Sequence, residues 1–229
     1  MPFTDRTVVI TGASGNLGRS VAKAFAELNA RLALLDLRRG DLQDGPNQVF
    51  LEADLLNPES VGAAVGKTLE RFGRIDVLCN IAGGFRMGSP VHEMKDKDWD
   101  FLFGLNARSV VNSARTAVPA MLKGGGGKIV NIGAFAAQRG AANMGPYIAS
   151  KSAVIRLTET MAAELRERNI NVNCVLPTII DTPENRAAMP DADPRRWVAP
   201  QDLAAVIVFL ASDAARAIHG AAIPVTGLS

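Results

Sequence analysis

Thr11-Gly-Ala-Ser-Gly-Asn-Leu-Gly18 lies directly behind the apolar run Thr7–Thr11 and opens an amphipathic stretch, Leu17–Asn29. The run before it is short and rich in β-branched residues. The stretch after it carries apolar side chains at Leu17, Val21, Ala24, Phe25 and Leu28, the spacing of a helix face. A glycine-rich turn between a strand and a helix lets the backbone approach an anion closely, and the helix N-terminus then stabilises the negative charge. Thr11, Gly12, Ser14, Gly15, Asn16, Leu17 and Gly18 are therefore expected to cradle the pyrophosphate of a dinucleotide. The acidic partner such a site needs is Asp36, which ends the next apolar run 18 residues after Gly18. Its carboxylate can accept hydrogen bonds from both adenosine ribose hydroxyls and would repel a 2′-phosphate. NAD(H) is the expected cofactor. NADP(H) is the alternative, because Arg38 and Arg39 follow at once and could accommodate a phosphate.

The same alternation continues outward from this turn to the end of the chain. Arg31–Asp36, Gln48–Ala53, Ile75–Asn80, Lys128–Ile132, Ile170–Leu176 and Ala222–Val225 read as further strands. Helical patterns cover Pro58–Phe72, with proline in the first turn and Gly73 at the exit, and a long run from beyond Lys97 to about Lys123. Two more run from Tyr147 to about Arg168 and over Gln201–Ala211. Strands that are apolar throughout, rather than at every second residue, are covered on both faces. The expected fold is α/β, a Rossmann-type doubly wound parallel sheet in a single domain over residues 1–229. Gly124–Gly127 is too short to divide it. Thr178–Arg196, with three prolines and many charges, is expected to be a loop serving as a substrate lid.

Composition narrows the function classes. With 48% hydrophobic and 21% charged residues, the chain has the composition of a soluble globular protein. A net charge of +2, from 25 basic and 23 acidic side chains, gives no reason to expect nucleic acid or an anionic membrane as partner. Cys79 and Cys174 each sit in an apolar strand run. They read as core residues rather than as a disulfide or metal site, which suits a reducing cytoplasm. Neither a leader peptide nor a membrane-length apolar stretch is visible. A small-molecule substrate is the expected partner.

The second constellation is Tyr147-Ile-Ala-Ser-Lys151. Residues four apart share a helix face, so the lysine ammonium is expected beside the tyrosine hydroxyl. A nearby cation lowers a phenol's pKa from its usual value near ~10 and makes proton exchange easier at neutral pH.

With the glycine turn, Asp36 and the Tyr147–Lys151 pair together, the chain resembles the short-chain dehydrogenase/reductase superfamily over nearly its whole length. The resemblance implies a homodimer or homotetramer packed through the helices beginning near Asp98 and Tyr147. It further implies that Asp54 and Leu55 meet the adenine, that Asn80, Ala82 and Gly83 follow the fourth strand beside the cofactor, and that Asn106 holds a proton-relay water. Pro177, Ile180 and Thr182 match the segment that clasps the nicotinamide carboxamide.

One departure narrows the resemblance. The superfamily normally carries a serine 13 residues before the tyrosine, and here that position is Ala134, preceded by Gly133. Loss of one polarising donor can cost on the order of a hundredfold in rate. The Gly12-x-x-Gly15-x-x-Gly18 spacing, Ala82-Gly-Gly-Phe85 and the stretch from Leu176 to Asp193 resemble the quinonoid dihydropteridine reductase branch. That branch also has a Gly-Ala pair in place of the serine, and its flat electron-poor substrate stacks on an aromatic side chain. Phe85, Ala134 and Asn143 are accordingly candidate substrate contacts, with Arg86 and Arg186 as weaker ones. The alternatives are a carbonyl or 3-oxoacyl reductase and a dinucleotide-binding regulator without catalysis.

Overall fold

The computed structural model describes residues 3–229. Seven parallel strands form one sheet: β1 (Thr7–Thr11), β2 (Arg31–Asp36), β3 (Gln48–Glu52), β4 (Val77–Asn80), β5 (Gly127–Ile132), β6 (Ile170–Pro177) and β7 (Ala222–Val225). Their order is β3-β2-β1-β4-β5-β6-β7. The helices are α1 (Asn16–Ala26), α2 (Pro58–Phe72), α3 (Asp96–Phe103), α4 (Ser109–Lys123), α5 (Gly145–Leu165), α6 (Pro183–Ala188) and α7 (Pro200–Leu210).

The strand composition follows from double burial. Successive side chains of a strand point to opposite faces. Val8, Ile10, Leu32, Leu34 and Cys79 therefore pack with Val21 and Phe25 of α1 and with Leu203 and Ile207 of α7. Val9, Ala33, Leu35, Leu78 and Ile129 enter the opposite layer with Val61 and Val65 of α2 and with Ala117 and Met121 of α4. Each large apolar side chain so buried contributes about 1.5–3 kcal/mol. That outweighs any local preference and holds the sheet as one body.

Element ends shift by one to three residues from the sequence expectations, and four differences are informative. α1 stops at Ala26, and Asn29 turns the chain into β2 with a φ of 62°, a left-handed conformation that asparagine tolerates. β4 begins at Val77, two residues later than the apolar run. The long helical run starts at Asp96 and contains a π-helical turn, Gly104–Arg108, between α3 and α4. Finally, the segment 178–196 is not structureless: it contains α6, capped by the Thr182 hydroxyl, and a 3₁₀ turn at Pro194–Arg196. Its neck is closed by hydrogen bonds from Asp181 N to the Val198 carbonyl (2.8 Å) and from Val198 N to the Ile179 carbonyl (2.9 Å). A helix of six residues is too short to show a period in sequence.

Two glycines test the packing. A Cβ on Gly18 would lie 2.1 Å from the Gly12 carbonyl oxygen, whereas one on Gly66 of α2 would meet nothing within 4 Å. Gly66→Ala should raise stability by about 0.5–1 kcal/mol, the usual helix gain, because only the unfolded chain's freedom changes. Gly18→Ala should lower it by at least ~1–3 kcal/mol through overpacking. Urea midpoints of the two variants check this. A stabilised Gly18→Ala would show that α1 does not press on the turn.

Candidate active site

β1 and β4 are neighbours, and the chain winds away from them in opposite directions, so a crevice opens at their C-terminal ends. The crevice floor is tightly built. Thr11 Oγ1 accepts from the backbone N–H groups of Ile81 (3.1 Å) and Ala82 (3.3 Å), tying the end of β1 to the end of β4. Gly12 has a φ of +65°, and a Cβ there would lie 2.8 Å from the Ala82 backbone. Glycine is thus required for both conformation and space. Gly15 is different: only the Gly12 carbonyl oxygen, at 3.4 Å, would meet its Cβ, so its backbone is open. Gly15 also caps α1 without any side-chain hydrogen bond. An uncapped helix start beside an open glycine backbone fits a pyrophosphate.

Asp36 lies at the end of β2, beside the glycine turn. Its carboxylate accepts from Ser14 N (3.0 Å), Ser14 Oγ (2.7 Å) and Leu37 N (2.8 Å). Arg39 turns away to pair with Asp44 at 3.1 Å, its guanidinium 4.8 Å above the Phe50 ring. Arg38 is exposed. Asp54 is held in a turn by Leu56 N (2.9 Å), beyond the end of β3. Leu55 is buried, and its carbonyl accepts from the Asn112 amide at 2.8 Å.

The Tyr147–Lys151 pair corrects one expectation. Lys151 is 4% exposed, and its ammonium donates to the Ile132 carbonyl at 2.8 Å. Burial pushes it down to about 8. Burial also pushes the Tyr147 phenol up to about 12, the opposite of the lowering expected from a neighbouring cation. The reason is geometric: the ammonium is aimed at a carbonyl, and the cost of burying a phenolate prevails. Space for the lysine exists only because residue 83 is glycine; a Cβ there would lie 2.9 Å from Lys151 Nζ and 3.0 Å from Asn106 Oδ1.

Asn106, 1% exposed, sits in the π-helical turn. Its Oδ1 accepts from Gly84 N (2.9 Å), and its Nδ2 donates to the Gly84 carbonyl (3.1 Å) and to Ser150 Oγ (2.9 Å). Both amide hydrogens are committed, so the side chain fastens the loop after β4 rather than offering a donor to water.

Other residues expected at the site also have partners within the protein. Asn80 donates to Asn131 Oδ1 (2.8 Å), and Asn131 donates to Thr158 Oγ1 (2.9 Å), a buried chain that braces β4, β5 and α5. Thr182 Oγ1 accepts from Asn185 N (3.2 Å) as the cap of α6, and the Ile180 carbonyl accepts from the Asn185 amide (2.8 Å). Pro177 is buried at the end of β6. Arg86 pairs with Asp98 (2.8 Å) over the Phe101 ring, and Arg186 pairs with Asp181 (2.6 Å). Neither arginine stands free in the crevice. Asn143, in a left-handed turn (φ 61°), accepts from Gly88 N through its carbonyl (2.8 Å), so it joins two rim loops by backbone alone.

Two features remain at the rim. Phe85, 55% exposed, meets Tyr147 edge-to-face with ring centroids 4.9 Å apart. Ala134, 3% exposed, packs among Val110, Val154, Ile155 and Leu176. Gly133 has no room for a side chain either, since its Cβ would lie 2.6 Å from Leu176 and 2.9 Å from Cys174 Sγ. Sequence reasoning missed Ser150, whose hydroxyl donates to the Tyr147 carbonyl (2.8 Å) while accepting from Asn106. Its place three residues after Tyr147, on the same helix face, was the available signal. Asn131 was missed as well, although an amide inside an apolar strand marks a buried partner.

The family described as Enoyl-(Acyl carrier protein) reductase matches residues 12–227. D-threitol dehydrogenase of Mycolicibacterium smegmatis is 32% identical over 240 residues, covering 97% of this chain and 92% of that protein. A 3-oxoacyl-[acyl-carrier-protein] reductase of Thermotoga maritima is also 32% identical, over 99% of this chain and 98% of its own. The ligand-free structure of aldohexose dehydrogenase from Thermoplasma acidophilum superposes with a TM-score of 0.89 at 29% identity, covering 99% of this chain and 94% of that one. The parallel seven-stranded sheet, the glycine turn at its switch point and these full-length similarities make the chain a member of the short-chain dehydrogenase/reductase superfamily, enzymes that act with a nicotinamide dinucleotide.

Proposed function

We propose that the protein is an NAD(H)-preferring reductase of a small unsaturated acceptor, with Tyr147 as proton donor. The observation that carries this is the buried Lys151 on the same helix face as the half-buried Tyr147, beside the crevice of β1 and β4. A phenol held at about 12 stays protonated at neutral pH, which suits an acid that gives its proton to a reduced product. A nicotinamide, when bound, supplies the hydride. The chain's own residues do the rest. Asp36 holds the adenosine ribose, the open backbone at Gly15 receives the phosphates, and Lys151 bonds the second ribose. Ser150 and Asn106 hold the tyrosine helix and the loop after β4 in register. The segment 178–196 serves as the lid that excludes water.

The acceptor is proposed to be flat and conjugated, such as a quinonoid dihydropterin. An exposed Phe85 against the tyrosine offers a stacking edge, and an apolar wall at Ala134 offers no carbonyl donor. The named activities of the relatives, on a sugar alcohol and on a 3-oxoacyl thioester, support a second reading in which the acceptor is a simple carbonyl.

Tyr147→Phe keeps the ring and removes the acid, so kcat should fall by roughly 10²–10⁴ with NADH affinity within about twofold. Lys151→Met should lose both. The same variant tests the burial cost. The folded lysine titrates at about 8 against 10.5 when free, so burial of its charge opposes folding at pH 7 and this opposition fades as pH rises between those values. Lys151→Met should therefore gain thermal stability at pH 7 and lose that advantage by pH 10. Full activity in Tyr147→Phe would exclude the acid role.

The cofactor preference is read from steady-state kinetics with both reductants. Asp36, fixed by Ser14 and Leu37, should make kcat/KM with NADH at least tenfold higher than with NADPH. A higher value with NADPH would mean that Arg38 governs the pocket.

Ala134→Ser separates the two acceptors. In a carbonyl reductase the new hydroxyl should raise activity on simple ketones about tenfold or more. In a pocket for a flat ring it adds an unpartnered polar group to an apolar wall, and ketone activity should not rise. We expect the second outcome, together with turnover of quinonoid dihydropterin by the parent. A large ketone-specific gain without parent activity on the pterin would assign the carbonyl reading.

A further inference from the structure

One side chain of the segment 178–196 hydrogen-bonds across to the start of α1. Glu184, in the first turn of α6, accepts at Oε2 from Asn16 Nδ2 at 2.7 Å. Asn16 is the first residue of α1, next to the uncapped Gly15. Arg19, on the following turn, donates to Asn16 Oδ1 (2.9 Å) and to the Ser14 carbonyl (2.9 Å), so it fixes the amide that Glu184 takes. Among the described residues, the other hydrogen bonds of 183–189 remain within 180–192. The tip of the segment therefore touches the glycine turn through this carboxylate.

The chemistry of the contact is that of a phosphate. An anionic oxygen sits at a helix start and takes an amide N–H, with a guanidinium behind it. The Glu184 carboxyl is held below its usual range by its own backbone N–H and the Thr182 hydroxyl, with further help from Asn16 and Arg19. We propose that Glu184 is a cofactor-affinity determinant that stands in for the pyrophosphate in the ligand-free protein. Its carboxylate has to leave Asn16 when the phosphates arrive, and the displacement carries α6 with it. The inference rests on the dinucleotide reading above and adds the residue that opposes binding.

The contribution follows from charge. An exposed carboxylate beside a bound anion is screened, so the effect is modest and salt-sensitive. Glu184→Gln keeps a group that can accept from Asn16 and removes only the charge. Titrations of the full-length protein with NADH, ADP-ribose and adenosine, at low salt and at 1 M salt, test the idea. Glu184→Gln should tighten NADH and ADP-ribose by roughly three- to tenfold at low salt, a gain that shrinks at 1 M, where the screening length is ~3 Å. Adenosine, which has no phosphate, should bind as in the parent. Unchanged ADP-ribose affinity in Glu184→Gln at low salt would overturn the proposal, and so would an equal gain for adenosine. A parent that binds none of the three would instead remove the dinucleotide reading, and this inference with it.

Discussion

The site depends on how closely the ends of β1 and β4 approach. Gly12 leaves no space between its Cα and the Ala82 backbone, and the Thr11 hydroxyl holds two N–H groups of the opposite loop. This contact lies at the point where the sheet changes winding direction. Everything with chemical character is positioned from it: α1 starts four residues after the close contact, Gly83 lies one residue beyond Ala82, and Gly83 in turn admits the Lys151 ammonium. A side chain at residue 12 would push the glycine turn and the lysine pocket apart together. Packing at this junction is therefore shared between the glycine turn and the lysine pocket.

Burial sets the character of the Tyr147–Lys151 pair. Desolvation pulls Lys151 down to about 8 and pushes Tyr147 up to about 12, so each group is drawn toward its neutral form. The Ile132 carbonyl holds the ammonium, while Ser150 and Asn106 hold the backbone around the phenol. The polar groups around the pair form a buried chain, in which Asn80 donates to Asn131 and Asn131 donates to Thr158. That chain fixes the spacing of β4, β5 and α5, and with it the distance between the lysine and the crevice. These amides brace the framework around the lysine.

Much of the architecture was legible in the amino acids. Uniformly apolar runs such as Val8–Ile10 and Leu32–Leu35 meant strands buried on two faces, and the glycine spacing after β1 meant a tight strand-to-helix turn. Both are local signals: side-chain alternation and backbone freedom act within a few residues, so order along the chain is enough to reveal them. The Tyr147–Lys151 pair was legible for the same reason, since four residues of helix bring two side chains to one face. The π-helical turn at Gly104–Arg108 and the short α6 were not, because neither carries a period long enough to stand out.

The sequence by itself determined the fold class, the position of the glycine turn, the acid at Asp36 and the identity of the Tyr147–Lys151 pair. Only the tertiary structure decided what those groups do to one another. It turned Lys151 toward Ile132, used both hydrogens of the Asn106 amide on Gly84 and Ser150, drew Arg39 away to Asp44, and brought Glu184 across 168 positions of sequence to Asn16. The physical reason is that pKa and hydrogen-bond choice depend on burial and on distances between residues far apart in the chain. Those quantities exist only once the sheet has brought the ends of its strands together.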